Sequence, residues 1–563
     1  MLYSIARVGY YHYFRNLGTA FGIAEWRLAR MEPALRQIIG VHGARMYYNL
    51  TNIHAVLGSA PFGDLLAASF NQFTGAEDDD QAAVGTQTRL HQTRELAVIA
   101  AKTTWEYLFL TRRVEEFERT IDDYARRTHP TVLQGRPIVA LLDDFRGFIE
   151  IRRHRWKNAS LADAGSMVCY GALQRILARA FPGEDQQALH NTLLKALPDL
   201  VSSVPPVKLW DLSRMVRQTE ALHALFSTAS AAEILEQLSD ERFAAFRVAL
   251  DEFLEQWGFR CSAELMLTVP SFQENPAPVI DLLKSYAAMD GESPADQLQR
   301  QAAGRERDTA RMLDALRRRP VSRWLPFLRQ SALAGVVLRW TQRSIQLRER
   351  ARLKQALLYS RLRRVSLALG ERLVQRGRLA QADDIFFLSF EEVDLLASGG
   401  EMFPGSTRDL VALRRRAHAE LSARTPPDTI TLPAGEYLDA SAPAGATAVD
   451  AGSGRLQGVG ACGGSTTARA AILLDVTESH RLDAGDILVT RQTDPGWGPI
   501  FPLISGLVIE RGGMLSHGAI IAREFGIPSV VGVKDATRLI RHGGEITVDG
   551  DRGLVLVAAG VTE

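Results

Sequence analysis

Between about Gln92 and Gly370, apolar residues recur at the three- and four-residue spacing of one helix face, and glycine and proline fall mostly at the breaks. This pattern predicts a large helical unit, with helices over 94–126, 136–156, 231–257 and 278–289 and a long arginine-rich helix over 333–376. No segment recurs at a fixed period, which argues against a solenoid. Upstream, residues 1–75 mix aromatic and helical character; 24–39 is the clearest helix there, and the run Arg-Met-Tyr-Tyr-Asn-Leu at 45–50 reads as a short strand. Residues 383–396 read as a short strand followed by a helix capped by Ser389. The stretch 398–455 is rich in Gly, Pro, Ala, Ser and Thr apart from an arginine-rich helix near 407–424, and is expected to be a flexible connection. From Leu456 the pattern changes to short Val, Ile and Leu runs separated by glycine turns, with two helices, the mark of a compact α/β domain. The expected fold class is therefore multidomain: a mainly α-helical unit over 1–397, a connection over 398–455 and an α/β unit over 456–563.

Charge and composition narrow the function classes. Lys and Arg number 66 against 65 Asp and Glu, so the net charge of +1 gives no bulk attraction to nucleic acid or membrane, and local clusters must do any anion binding. Cys169, Cys261 and Cys462 lie far apart, which argues against a disulfide framework or thiolate metal site and for a reducing, cytoplasmic compartment. The N-terminus lacks an export signal, and no uncharged apolar run reaches the length of a membrane span. The acidic run Glu77-Asp78-Asp79-Asp80 reads as solvated loop rather than metal site, and no HExxH, CxxC or GxSxG pattern supports zinc or serine-hydrolase chemistry.

The candidate chemistry centres on 510–524, Glu-Arg-Gly-Gly-Met-Leu-Ser-His-Gly-Ala-Ile-Ile-Ala-Arg-Glu. Gly512 and Gly513 permit a turn whose amides point into one concavity able to hold an anion. His517 opens the apolar helix that follows, at its positive end. That position disfavours a protonated imidazole and favours an attached phosphate, as a nucleophilic histidine requires. Ser516 is placed to cap the helix or to bond the phosphate. Arg523 is placed either to touch the phosphate or to pair with Glu524. A second cluster is Arg348-Glu349-Arg350-Ala351-Arg352 on the long helix. Arg348 and Arg352, four apart, share a face and are able to clamp a phosphoryl group, with Glu349 to orient an arginine or accept a proton. Composition alone reads the run as a solvated basic face, and it assigns Arg152-Arg153-His154-Arg155 and Arg361, Arg363 and Arg364 to the surface.

The stretch around His517 resembles the phosphohistidine swivelling domain of the PEP-utilising enzymes. The likeness runs from about Leu456 to Val557, through Ala484-Gly485-Asp486-Ile487-Leu488-Val489-Thr490, Thr493-Asp494-Pro495-Gly496-Trp497, the Gly-Gly-Met-Leu-Ser-His core and 526–532. Segments at 47–62 and 251–286, and the Arg348, Glu349, Arg352 spacing, are similar to the acceptor domain of rifampicin phosphotransferase-like members. One departure is Cys261-Ser262-Ala263-Glu264, where the family usually has a Gly-rich turn.

The resemblance implies that His517 is phosphorylated and that Arg348, Glu349 and Arg352 face it during transfer. It further implies a mobile α/β carrier and a dikinase-type reaction yielding AMP, inorganic phosphate and a phosphorylated acceptor. No GxxxxGK[ST] loop or ATP-grasp domain is found, and no pyruvate-binding barrel follows. The expectation is a phosphotransferase subunit resembling rifampicin phosphotransferase without its ATP-grasp domain, or the histidine-bearing subunit of phenylphosphate synthase. ATP and Mg²⁺ would bind a separate ATP-grasp partner, and the acceptor would be a small, aromatic or other hydroxyl compound. The alternatives are a ligase or condensing enzyme that uses the phosphohistidine relay and a non-catalytic phosphocarrier or regulatory protein.

Overall fold

A computed structural model describes residues 1–58, 89–183, 186–317, 320–322, 325–400, 406–424, 429–432 and 454–557. Pro61 and Phe62, the acidic run at 77–80 and much of the 398–455 connection lie outside the described residues. Helix α1 (Leu2–Phe21) packs on α2 (Lys157–Ala180), and α2 packs along α3 (Gln330–Gln375), a 46-residue rod about 70 Å long. The first half of α3 contributes Ala334, Leu338 and Ile345 to one apolar core; its second half contributes Leu358, Leu362, Val365 and Leu369 to another. Arg348 and Glu349 sit near the point where the helix passes between the two. No described helix is long and apolar enough to cross a membrane.

The α/β unit is an eight-stranded sheet: β1 (Arg455–Gln457), β2 (Val459–Cys462), β3 (Ser465–Ile472), β4 (Ile487–Thr490), β5 (Gly506–Ile509), β6 (Ser529–Val531), β7 (Glu545–Asp549) and β8 (Leu554–Val557). The order is β1-β8-β7-β3-β4-β5-β6-β2, parallel from β3 to β6 and antiparallel elsewhere. The central β4 and β5 are buried at every position, as parallel strands covered on both faces must be. Alternation sorts their side chains. Val489, Val508 and Val530 fill one face, whereas Leu488, Leu507, Ile509 and Val531 face the opposite way. That opposite face also carries α4 (His517–Phe525), and it shares one continuous core with Leu209, Phe246, Tyr286 and Leu338 of the helical unit. The α/β unit is therefore docked, with apolar surface buried across the seam.

Several expectations need correction. The 24–39 stretch is two short helices, Glu25–Arg30 and Glu32–Arg36, whereas the strand expected at 45–50 does form, as Arg45–Tyr48 paired with Ile39–His42. No strand forms at 383–387. Asp384 accepts the amides of Ala380 and Gln381 and winds the segment into the 3₁₀ turn Ala382–Phe387, while Ser389 caps Phe390–Ala397 in a capping box with Glu392. The helix expected over 94–126 divides at Phe109 into Arg89–Leu108 and Leu110–Arg127.

Candidate functional site

Strand β5 delivers the chain into the loop at 510–516. Gly512 adopts φ +127°, a backbone conformation open to glycine, and the Gly513 carbonyl accepts the Ser516 amide at 2.9 Å. Ser516 is the cap of α4, its hydroxyl accepting the Ala519 amide at 3.4 Å, so His517 is the first residue of the helix. The imidazole is 3 % exposed, and neither ring nitrogen has a hydrogen-bond partner. Beneath the helix start, Thr493 Oγ1 is also buried without a partner.

Across the seam, the helical unit presents Glu349. Its Oε2 lies 3.6 Å from His517 Nδ1, just beyond hydrogen-bond distance, and accepts the Ser202 hydroxyl at 2.8 Å. Arg348, wholly buried, pairs with Glu349 at 3.3 Å and Asp163 at 3.4 Å and donates to the Leu515 carbonyl at 3.1 Å. Arg348 thus ties the histidine loop to α3. Arg352, one turn on and partly exposed, approaches the same Asp163 at 3.8 Å. Burial would raise the Glu349 carboxyl, but His517, Arg348 and Arg352 outweigh it and hold the group well below the usual carboxylate range. Burial, with Arg260 and Arg352, lowers the His517 pKa against the opposing pull of Glu349. Burial and the like charge of Arg352 bring Arg348 down to about 10. Burial is thus the main force toward a neutral imidazole at this position.

A second contact zone flanks the histidine. Asp494 accepts the amides of Gly496 at 3.0 Å and Glu264 at 2.9 Å, the latter from the helical unit. Trp497 Nε1 donates to the Ser262 carbonyl at 3.2 Å, and Tyr286 to the Pro499 carbonyl at 2.7 Å. Backbones touch here: a Cβ on Gly496 would lie 1.9 Å from the Cys261 carbonyl oxygen. Gly496→Ala is expected to loosen docking while leaving the α/β sheet intact. Faster hydrogen exchange confined to 258–266 and 493–525 would report it; unchanged exchange there would refute it.

Burial pushes Glu264 up to about 7 despite Arg260 at 3.4 Å, and burial with the charge of Glu264 pushes Asp494 well above its usual range. A carboxyl whose folded pKa exceeds its free value of 4.5 favours the native state at low pH, and that contribution is lost as pH rises toward 7. The melting temperature of the wild-type chain relative to Glu264→Gln is therefore expected to fall between pH 4.5 and 7 and then level off. A difference independent of pH would contradict the assignment.

The remaining sequence candidates are accounted for as follows. Arg523 is 2 % exposed and donates to Met514 O at 2.7 Å, Asn191 Oδ1 at 3.2 Å and Ala519 O at 3.1 Å, bracing the histidine loop. Glu524 is buried, and desolvation raises it to about 8. Arg152 and Arg361, read as surface, are each 5 % exposed. Ser202 and Asp163 were not singled out, and Arg260 and Glu264 figured only in the 251–286 segment and its departure, not as site residues. Only the i,i+4 spacing of Arg260 and Glu264 hinted at a pair, and in the structure it spans an irregular loop, not a helix turn.

Residues 161–349 match the fourth domain of rifampicin phosphotransferase, and 482–553 match the mobile domain of PEP-utilising enzymes. Glu349 and His517 fall within these two regions. The chain is 32 % identical over 374 residues to rifampicin phosphotransferase of Streptomyces sp, a match covering 65 % of this chain and 41 % of that protein. The corresponding protein of Bacillus subtilis is 28 % identical over 381 residues, with 65 % and 41 % covered. The prodigiosin synthesizing transferase PigC of Serratia marcescens is 29 % identical over 406 residues, with 70 % and 43 % covered. The chain thus spans about two fifths of the length of these relatives, and it resembles PEP-utilising enzymes of the rifampicin phosphotransferase type in both of its units.

Proposed function

We propose that the chain is a phosphotransferase of the PEP-utilising, dikinase type, in which His517 carries a phosphoryl group from ATP, bound by a separate ATP-grasp partner, to a hydroxyl of a small acceptor held by the helical unit. The observation that carries this reading is the apposition of the His517 Nδ1 and the Glu349 carboxylate at 3.6 Å across the docked seam. An anionic Glu349 favours the tautomer protonated at Nδ1 and leaves the Nε2 lone pair as the nucleophile. In transfer, the acceptor oxygen attacks phosphorus in line, the P–N bond breaks, and its electron pair returns to Nε2. The acceptor's proton is taken up there, and the imidazolium so formed is stabilised by Glu349. Arg352 is near enough to offset charge on the phosphoryl oxygens.

His517 is too buried here to reach a nucleotide, so loading requires the α/β unit to leave the seam. Among the described residues no His, Cys, Asp or Glu cluster is arranged to hold a metal ion.

The test is a single turnover. The chain is charged with labelled phosphate, freed of nucleotide and partner, and mixed with a panel of phenols and alcohols. A labelled phosphate ester appearing as protein label disappears supports transfer; label that never leaves the protein identifies a phosphocarrier and overturns it. A second reading, suggested by the likeness to a relative named as a synthesizing transferase, is that the phosphorylated intermediate is used to join two substrates. Free phosphate released together with a ligated product would select that one.

A further inference from the structure

Arg152 is 5 % exposed, yet among the described residues no ion pair reaches it. It lies in the π-helical turn Ile151–Arg155, closed by the Trp156 amide on the Ile151 carbonyl at 3.0 Å. Such turns insert an extra residue and re-aim its side chain. Arg153 and His154 pair with Glu150, but no carboxylate among the described residues reaches Arg152, and its Nε has no hydrogen-bond partner. The guanidinium lies 3.7 Å from the Trp156 ring centroid and 6.0 Å from that of Tyr359 on α3. A Cβ on Gly9 of α1 would stand 1.9 Å from its Nη2, so the backbone there is shaped to admit it. Cation–π contact offsets part of the desolvation cost, but a buried guanidinium calls for an anion.

A polar aromatic face leads from this arginine toward the transfer site. Tyr10 lies close enough for Arg152 to act on its hydroxyl, and that hydroxyl bonds the hydroxyl of Tyr48. The Tyr10 ring stands 5.4 Å from Tyr48 and 6.4 Å from Tyr13, and Tyr13 in turn feels the charges of Asp163, Arg352 and Arg348. Along α3, Tyr359 and Arg352 are seven residues apart, roughly 10 Å.

We propose that Arg152 anchors a carboxylate of the acceptor, which lies along the Tyr10, Tyr48 and Tyr13 face with its hydroxyl end toward Arg352 and His517. The acceptor class is then a small hydroxy acid with an aromatic or planar body. Only the role of the hydroxyl end rests on the phosphotransfer reading; the carboxylate site stands apart from it.

The test uses the full chain and two probes, 4-hydroxycinnamate and its primary amide, with binding measured by calorimetry. The acid is expected to bind about tenfold tighter than the amide, the scale of a charged hydrogen bond. Arg152→Gln should erase that preference, and Arg152→Lys, which keeps the charge and loses the fork, should retain part of it. His517→Ala should leave it unchanged. Equal binding of acid and amide by the wild-type chain, or binding of neither, overturns the proposal without need of any variant, as does a preference that survives in Arg152→Gln. A carboxylate preference with no transfer to the acid would leave the anion site standing and count against the phosphotransfer reading alone.

Discussion

His517→Ala is expected to hold no acid-labile phosphoryl group and to form no labelled product with any acceptor, a loss of at least about 10⁴-fold, since the covalent carrier is removed outright. The fold should survive the change. Position 517 is the first residue of α4, Ser516 supplies the cap, and alanine is a good helix former. The lost imidazole leaves a cavity near Phe501, whose ring centroid is 6.4 Å away, but the apolar core beneath Ala519, Ile520 and Ala522 is untouched. Circular dichroism and exchange across 493–525 should match the wild-type chain while turnover vanishes. Turnover retained in this variant would place the carrier nitrogen elsewhere.

The second large effect concerns the pair on α3. Arg348→Met leaves Asp163 and Glu349 without their shared cation and removes the donor to Leu515 O, so stability is expected to fall by about 3–5 kcal/mol, read from the denaturant midpoint. Glu349→Gln is different. It keeps the side-chain shape and an acceptor for Ser202 but removes the charge beside the imidazole. Transfer from the charged protein to an acceptor is expected to slow by about 10²-fold, with little change in the loading of His517 in the undocked state. Comparing the two half-reactions separates the roles. Equal slowing of both would mean that Glu349 acts on the histidine wherever it is, not in the docked complex.

The turn, cap and helix around His517 were legible because their determinants are local. The glycine turn, the Ser516 cap and the apolar run that ends at Gly526 lie within fifteen consecutive residues, and the structure forms each as the pattern predicts. The long helix was equally plain, from sustained helical spacing over 333–376. What the pattern could not carry was burial across distant segments. Arg348 looks like one of several arginines on a basic face until Asp163, Glu349 and Leu515 O close around it from three parts of the chain. Arg152 was read as surface for the same reason. A π turn shifts side-chain direction by one residue, which helical periodicity does not encode. Asp494 and Glu264 lie 230 positions apart and meet only when the units dock, so their raised pKa values have no sequence signal. Arg523, read either as a phosphate contact or as a surface partner of Glu524, is instead buried and donates to Met514 O and Asn191 of a distant segment, which helical spacing does not encode.

The most direct measurement is to incubate the wild-type chain and the proposed ATP-grasp protein with ATP labelled at the β-phosphate, quench in base, and map the label by peptide mass spectrometry. The account predicts acid-labile, base-stable label on the peptide containing His517, attached through Nε2, and none on the His517→Ala chain. Label on any other residue, or label of equal extent in His517→Ala, would contradict it.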